Sequence, residues 1–148
     1  MDDSQNRLEL DSRLTELSRV QQWIDSLAYL HGFDEDAVFA MQLCIEEALA
    51  NIVLHGYRSE PGHPIVIEAS VSAGILCLVI DDQAPHFSPV ENGSPSGTIV
   101  QNALESIEAG SNGIRLLKRF AGSLAYERLS DRNRLTIGFP IPFKDASL

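Results

Sequence analysis

The sequence predicts an α+β fold, a two-layer sandwich in which helices cover one face of a mixed, mostly antiparallel sheet. Two strong helical patterns follow one another in the first 57 residues. Two pairs of strand-like segments come later, and each pair is joined by a short turn. Helices gathered together, with strands paired by short turns, favour this architecture. No internal repeat is visible in the 148 residues, so residues 1–148 are predicted to form one domain.

The first elements are a weak strand and a helix. Residues 7–10 alternate weakly and predict a short edge strand. Asp11 or Ser12 is predicted to cap a helix that runs to about Leu30 and ends at His31-Gly32. Apolar residues recur along it at helical spacing: Leu14, Leu17, Val20, Ile24 and Leu27.

A second helix, preceded by the candidate cap Asp34, is the strongest pattern in the chain. Residues 39–57 contain no Pro, and no Gly before Gly56, which is predicted to end the helix as a glycine cap. One stripe is apolar: Met41, Ile45, Leu49 and Ile52. A second stripe is polar: Glu47, Asn51 and His55. By itself this polar column is compatible with facing either solvent or a ligand.

Strands follow in two hairpins. Residues 65–71 alternate between apolar and polar, and Ala73-Gly74 turns the chain into Ile75–Ile80, a more uniformly apolar run that suits a central strand. Asp81 and Asp82 end that run. The second hairpin is predicted from residues 124–127 and 134–139, joined by a polar turn at residues 130–133.

Residues 83–112 form a long connection rich in glycine, proline and small polar residues. A connection of this length inside a compact domain is usually functional or mobile. A short helix is predicted near residues 99–108, and a third strong helix begins at Gly113 and ends at Gly122.

Charge and cysteine content exclude some classes of protein. The net charge of −10 disfavours a nucleic-acid partner, because binding the phosphate backbone of a nucleic acid needs clustered positive charge. The longest apolar run, Ile75–Ile80, is too short to span a bilayer, and no signal peptide is recognised, so no membrane role is expected. Cys44 and Cys77 are predicted to be reduced core thiols, which implies a cytoplasmic protein.

Three features far apart in sequence suit a nucleotide. A loop from Gly110 to Gly113 leads into a helix start, whose free N–H groups suit phosphate oxygens. The strand-end carboxylate of Asp82 suits an exocyclic amine such as that of adenine. Asn51 offers a hard oxygen to Mg²⁺, and Glu47, one turn away, is placed to deprotonate a hydroxyl or water. Together they predict a Mg·ATP site with a flexible cover.

Four motifs lie in order along the chain: Glu47-x-x-x-Asn51-x-x-x-His55-Gly56-Tyr57, Asp82-Gln-Ala84-Pro-His-Phe87-Ser-Pro89, Gly110-Ser-Asn-Gly113-Ile-Arg-Leu and Arg132-Asn133-Arg-Leu135-Thr136. The first resembles the N-box of the GHKL ATPases. As a set they resemble one branch, the bacterial anti-sigma-factor serine kinases that act by partner switching. The match covers roughly residues 8 to 139, and it implies the Bergerat ATP-binding fold.

The resemblance implies specific roles. Glu47 is the general base, Asn51 binds Mg²⁺ and Asp82 takes the adenine amine, while Thr136 helps to hold adenine, through water. The glycines let the backbone approach the phosphates, and residues 88–112 form the lid. The implied cofactor-binding set is Asn51, His55, Asp82, Ala84, Phe87, Gly110, Gly113, Ile114 and Thr136.

The second motif departs from the family pattern. Ala84 stands where the family has glycine, and His86 and Ser88 replace Pro and Asp. A methyl group at residue 84 is expected to crowd the base or to force a backbone shape different from that of glycine, and so to reduce nucleotide affinity.

Two functions are compatible with these motifs. One is a Mg·ATP-dependent serine/threonine kinase that phosphorylates an anti-sigma-factor antagonist of the STAS type and otherwise sequesters a sigma factor. The alternative, favoured by Ala84 and by the altered motif around it, is a non-catalytic nucleotide-binding switch. A histidine kinase is disfavoured because no helix bearing a phosphoacceptor histidine fits upstream. Family analogy and the amphipathic first helix suggest a homodimer.

Overall fold

The computed structural model describes residues 6–85 and 122–140. In chain order they form β1 (Arg7–Asp11), a 3-10 turn (Leu14–Glu16), α1 (Leu17–His31), α2 (Glu35–Asn51), a π-helical turn (Ile52–Gly56), β2 (Pro64–Ser72), β3 (Ile75–Asp82), β4 (Ser123–Arg128) and β5 (Asn133–Pro140). The predicted short helix at 99–108, most of the predicted third helix and the predicted lid at 88–112 lie outside the described residues.

The five described strands form one sheet in the order β1-β2-β3-β5-β4, with β3 at its centre as predicted. Together with α1 and α2 it confirms the α+β class. All four pairings between these strands are antiparallel, so the described sheet lacks the parallel pair that a mixed sheet would contain. The β2–β3 hairpin turns at Ala73 and Gly74, whose φ angles of 52° and 77° match the twist of a two-residue turn.

The core lies between the two helices and one face of the sheet. Ile67, Leu78 and Ile137 show how the register builds this face, because Ile67 pairs with Ile80, and Leu78 pairs with Ile137. All are fully buried and belong to one apolar cluster with residues of both helices. Successive strand residues face opposite sides, so odd positions of β3 and even positions of β5 lie on the other face of the sheet. It is called the open face here because neither α1 nor α2 covers it.

The start of the first helix differs from the prediction. α1 begins at Leu17 after the 3-10 turn, and no side-chain cap hydrogen bond is present at either element. Asp11 is the last residue of β1 rather than a cap. Ser12 is buried, and its hydroxyl donates to the carbonyl oxygen of Glu60 (2.6 Å) and accepts from the amide of His63 (3.1 Å). The hydroxyl is therefore used to fix the loop before β2.

The second helix begins as predicted and ends differently. Asp34 caps it by accepting a hydrogen bond from the amide of Ala37 at 2.8 Å. The predicted apolar stripe is buried throughout: Met41, Ile45, Leu49 and Ile52. Beyond Asn51 the helix widens into the π turn, closed by the amide of Tyr57 donating to the carbonyl of Ile52 over 2.8 Å. Gly56 ends this turn without a positive φ angle, so it is not a left-handed glycine cap.

The two cysteines lie on different sides of the sheet. Cys44 is buried in the core, as predicted, and burial raises the pKa of its thiol to about 12. Cys77 is on β3 and half-buried, opposite Gly138, on the face away from the helices. The prediction of a core thiol is therefore wrong for Cys77, because its odd position in β3 points it to the open face.

The helical stretch Glu35–Gly56 is 22 residues long and apolar enough, by length and composition, to cross a membrane. The core helix of a soluble protein meets the same criteria. In this fold the stretch contributes to the apolar core that it shares with α1 and the sheet, and Met41, Ile45 and Leu49 are each at most 3% exposed. Its apolar character is accounted for by its central place in the core.

Candidate functional site

Asp82 is a buried carboxylate at the end of the central strand. It is the last residue of β3 and pairs with Ile65 of β2 on one side and Asn133 of β5 on the other. Its even position places it on the helix-facing side of the sheet, in line with the core residues Leu78 and Ile80. Only 6% of Asp82 is exposed, so its carboxylate is presented to a sheltered edge of the core.

The two carboxylate oxygens of Asp82 have different surroundings. Oδ1 accepts hydrogen bonds from the amide of Ala84 (2.9 Å) and from Nδ2 of Asn133 (2.8 Å). Within residues 6–85 and 122–140, no donor reaches Oδ2. Burial raises the pKa of Asp82, and these two hydrogen bonds and the positive charge of Arg128 oppose that shift. The carboxylate therefore keeps one oxygen as an acceptor for a ligand.

Asn133 connects Asp82 to the neighbouring edge strand. Its Oδ1 accepts hydrogen bonds from the hydroxyl of Tyr126 (2.6 Å) and from a guanidinium N–H of Arg128 (3.0 Å). The same nitrogen of Arg128 also donates to the carbonyl oxygen of Ala84 at 3.1 Å. The side-chain amide of Asn133 on β5 thus links β3, β4 and the segment after β3.

The end of the second helix lies against this strand end. A Cβ built on Gly56 would stand 3.1 Å from the Cβ of Ala84, so the π turn and the segment after Asp82 are in direct contact. The hydroxyl of Tyr57 donates to the carbonyl of Pro64 (2.7 Å) and accepts from the amide of Gln83 (2.6 Å). The first two motifs, which lie about 30 residues apart, therefore meet in space.

Glu47 and Asn51 lie one turn apart on α2, and Asn51 is its last residue. Both are half-buried, and neither side chain forms a hydrogen bond or ion pair with another described residue. Asn51 precedes Gly56 by five residues, about 7.5 Å along a helix axis. His55 is exposed and lies within the π turn, a local widening that occurs frequently at functional sites.

Comparison with known proteins identifies the domain. Residues 10–139 match the family described as the histidine kinase-like ATPase domain. The chain belongs to this family. It is 29% identical over 139 residues to the serine/threonine-protein kinase BtrW of Bordetella bronchiseptica, covering 93% of this chain and 94% of that protein. It is also 32% identical over 56 residues to the anti-sigma F factor of Halalkalibacterium halodurans, covering 38% of each chain.

Thr136, for which the resemblance implies a role in holding adenine, lies on a different face of the sheet from Asp82. Thr136 pairs with Val79, on the open face of the sheet, whereas Asp82 faces the helices. The structure therefore does not bring Thr136 to the carboxylate, and Asn133 occupies the place beside Asp82 instead. The sequence carried a signal for this, because Ile137 and Phe139 are the apolar residues of β5 and Thr136 alternates with them.

Alanine in place of the family's glycine at residue 84 has less effect on the backbone than the sequence suggested. Ala84 is 1% exposed and has no positive φ angle, so the methyl group does not force a strained conformation. Its side chain packs beside Gly56, where a second Cβ would be crowded. The glycine at residue 56 therefore leaves room for the methyl group of Ala84.

Several predicted residues of this ATPase domain lie outside the described residues: Phe87, Gly110, Gly113 and Ile114. The phosphate end of the predicted site therefore stays a prediction. Among residues 6–85 and 122–140, Oδ2 of Asp82 accepts no hydrogen bond and the side-chain amide of Asn51 has no partner. These are the groups that an adenine amine and a magnesium ion, respectively, would need. Among the described residues, no group of three or more His, Cys, Asp or Glu is arranged to hold a metal ion, so nucleotide phosphates and water would have to complete a magnesium shell.

Proposed function

We propose that this chain is an ATP-binding anti-sigma factor and serine/threonine-protein kinase that phosphorylates an anti-sigma-factor antagonist. Membership of the histidine kinase-like ATPase family and similarity to a serine/threonine kinase and an anti-sigma F factor support this proposal. The observation that carries it is Asp82, buried at a strand end with one oxygen available and in contact, through Ala84, with the helix that bears Glu47 and Asn51.

The chain's own residues have distinct roles in this proposal. Asp82 accepts the exocyclic amine of adenine, and the buried surroundings make that hydrogen bond selective. Asn51 holds Mg²⁺ through its carbonyl oxygen, and Glu47 accepts the proton of the partner's hydroxyl group. When bound, Mg·ATP supplies the phosphoryl group and offsets its negative charge, so positioning and electrostatics account for most of the catalysis.

The partners in this proposal are a sigma factor and a STAS-type antagonist in the cytoplasm, and the chain would act as a homodimer. The net charge of −10 suits a partner with a basic surface. Nothing in this assignment needs a nucleic acid or a membrane.

The alternative, a nucleotide-binding switch that transfers no phosphate, rests on Ala84 and on the altered motif around it, of which residues 86–89 lie outside the described residues. Ala84 is accommodated beside Gly56 with an ordinary backbone, so backbone strain does not favour the alternative. Crowding of the base by its methyl group stays a prediction, and the similarity to a serine/threonine-protein kinase over most of the chain supports the kinase. We therefore retain the kinase as the proposed activity.

The test is transfer of a radiolabelled γ-phosphate from ATP to a STAS-type antagonist from the same organism. The proposal expects label on a serine or threonine of the antagonist. Glu47→Ala is expected to reduce the transfer rate by at least about 100-fold, since general-base catalysis contributes about that much. Glu46→Ala, the adjacent half-buried glutamate on the same helix, is the matched control and should transfer at a near-normal rate.

Two outcomes would contradict parts of this proposal. Transfer that is unchanged in Glu47→Ala would remove Glu47 as the base. Nucleotide binding without any transfer by the unmodified chain would identify the protein as the non-catalytic switch.

A further inference from the structure

The side chain of Asn133, on β5, is held in one orientation by partners on β3 and β4. Its Oδ1 faces two donors, the hydroxyl of Tyr126 and the guanidinium of Arg128, at 2.6 and 3.0 Å. Its Nδ2 therefore points at Asp82, and also lies 3.3 Å from the carbonyl oxygen of Ala84. A flipped amide would place its NH₂ group against the Arg128 guanidinium, a donor facing a donor, so the observed orientation is fixed by the network.

We propose that Asn133 is a positioning residue that determines the selectivity of this ATPase domain for a 6-amino purine. It would act by holding Oδ1 of Asp82, so that Oδ2 is presented to the base as a fixed acceptor. This inference rests on the proposed function, because it assumes that Asp82 receives the nucleotide base.

The chemistry of the pair sets the direction of selectivity. Because the Nδ2 group donates to Oδ1, Asn133 favours a carboxylate that accepts hydrogen bonds over one that is protonated. An ionised Asp82 attracts the 6-amino group of adenine and repels the 6-oxo group of guanine. In a buried site the mismatched pair leaves two acceptors without a donor, which is much more costly than losing a contact in water.

Arg128 and Tyr126 make the arrangement rigid. Arg128 bridges the Asn133 amide and the carbonyl of Ala84, and so holds the segment after β3 against β4. Tyr126 saturates the remaining acceptor capacity of Oδ1 of Asn133. β4 therefore supports Asp82 through Asn133 on β5. Removal of the Asn133 side chain releases both the carboxylate of Asp82 and the segment that follows β3.

The experiment compares binding of three ligands to the full chain by calorimetry in the presence of magnesium: ATP, GTP and purine riboside triphosphate, which lacks the 6-amino group. The unmodified chain should bind ATP at least about 10-fold more tightly than the other two, the typical effect of one hydrogen bond to a charged group. Asn133→Ala should lower ATP affinity about 10-fold and leave affinity for purine riboside triphosphate nearly unchanged. The ratio between these two ligands should then fall towards one.

Two further variants make the test specific. Tyr126→Phe leaves Asn133 in place and removes one of the two donors to it, so the ratio should fall by a smaller factor. Arg132→Ala changes the exposed neighbour of Asn133 in the same turn and makes no contact with the network, so the ratio should be unchanged. If Asn133→Ala does not fold, the inference is tested by the ratio of ATP to purine riboside triphosphate affinity in Tyr126→Phe.

A second readout needs no nucleotide. In the free chain, carboxyl NMR of Asp82 should show a higher pKa in Asn133→Ala than in the unmodified chain, because a hydrogen bond that lowers the pKa is lost. A ligand ratio that is preserved in Asn133→Ala, or a pKa of Asp82 that does not change, would overturn the inference. Failure of the unmodified chain to bind ATP would instead overturn the proposed function.

Discussion

Asn133 and Asp82 are cross-strand partners in the last pair of the β3–β5 ladder, and the amide nitrogen of Asn133 donates to Oδ1 of Asp82 over 2.8 Å. Both side chains are at most 6% exposed. The pair converts a strand-end carboxylate into a fixed acceptor on the helix-facing side of the sheet. The nucleotide site proposed for this ATPase domain is organised around that acceptor.

Replacing Asp82 with asparagine is predicted to stabilise the free protein at neutral pH. Burial raises the pKa of Asp82 in the folded state, so the fold favours its protonated form. The stabilisation from that protonated form is complete below the unfolded pKa of about 3.9 and is lost as the pH rises through the folded pKa. An asparagine keeps an oxygen for Asn133 and Ala84 without carrying the charge.

Thermal unfolding across pH checks this prediction. Asp82→Asn should have a higher melting temperature than the unmodified chain at neutral pH, and the two curves should converge in acid. Asp81→Asn is the matched control, because Asp81 is adjacent on β3 but faces the other way and pairs with Arg134 at 2.8 Å. That variant should lose stability at neutral pH. A lower melting temperature for Asp82→Asn would show that its charge stabilises the fold.

Gly56→Ala is predicted to destabilise the fold by about 1 kcal/mol, because the new methyl group would lie 3.1 Å from the Cβ of Ala84. Adding Ala84→Gly in the same chain removes the crowding and should recover most of the loss. Denaturant unfolding of the two single variants and the double variant gives the coupling free energy, which should exceed about 0.5 kcal/mol. Strictly additive effects would mean that the two residues do not contact each other.

Tyr57→Phe is predicted to cost about 1–3 kcal/mol of unfolding free energy, because the amide of Gln83 and the carbonyl of Pro64 both lose a buried partner. Burial raises the pKa of Tyr57 to about 12, so the hydroxyl keeps its proton at neutral pH and donates to Pro64. Urea unfolding measures the cost. Tyr29→Phe is the control, since Tyr29 is 93% exposed, and it should change stability by less than about 0.5 kcal/mol. Equal effects from the two substitutions would contradict the structure.

Thr136→Val tests the two assignments for the adenine end of the site. The family resemblance implies that Thr136 helps to hold adenine, whereas the register places it opposite Val79 on the open face. The structure therefore predicts less than about a twofold change in ATP affinity, because a partner on the wrong face of the sheet contributes no hydrogen bond. A loss of ATP affinity of about 10-fold or more in Thr136→Val, measured by calorimetry, would support the role in holding adenine that the resemblance implies.

The elements were largely predictable because their patterns are strong and local. The apolar stripe of α2 and the hairpin at Ala73-Gly74 follow from residues that are neighbours in sequence. The start of α1 was not predictable in the same way. Ser12 is a good helix cap by type, but its hydroxyl is used 48 residues further along the chain, by the carbonyl of Glu60. Long-range use of a polar side chain leaves no local signal.

The site was predictable as a set of motifs and less so as a geometry. The motif that contains both Asn133 and Thr136 was recognised, yet the choice between them depends on strand parity and on register with β3. The contact between Gly56 and Ala84 was also hidden, because it joins a helix end to a strand end. In both cases the residue type was visible in the sequence, while its partner was fixed only by the fold.

The most direct test of the central claim is calorimetric titration of the full chain with ATP at millimolar magnesium, repeated with Asp82→Asn. We expect saturable binding by the unmodified chain and a loss of affinity of at least about 10-fold in Asp82→Asn, although this variant should be more stable than the unmodified chain at neutral pH. Equal affinities in the two proteins, or no binding by either, would contradict it.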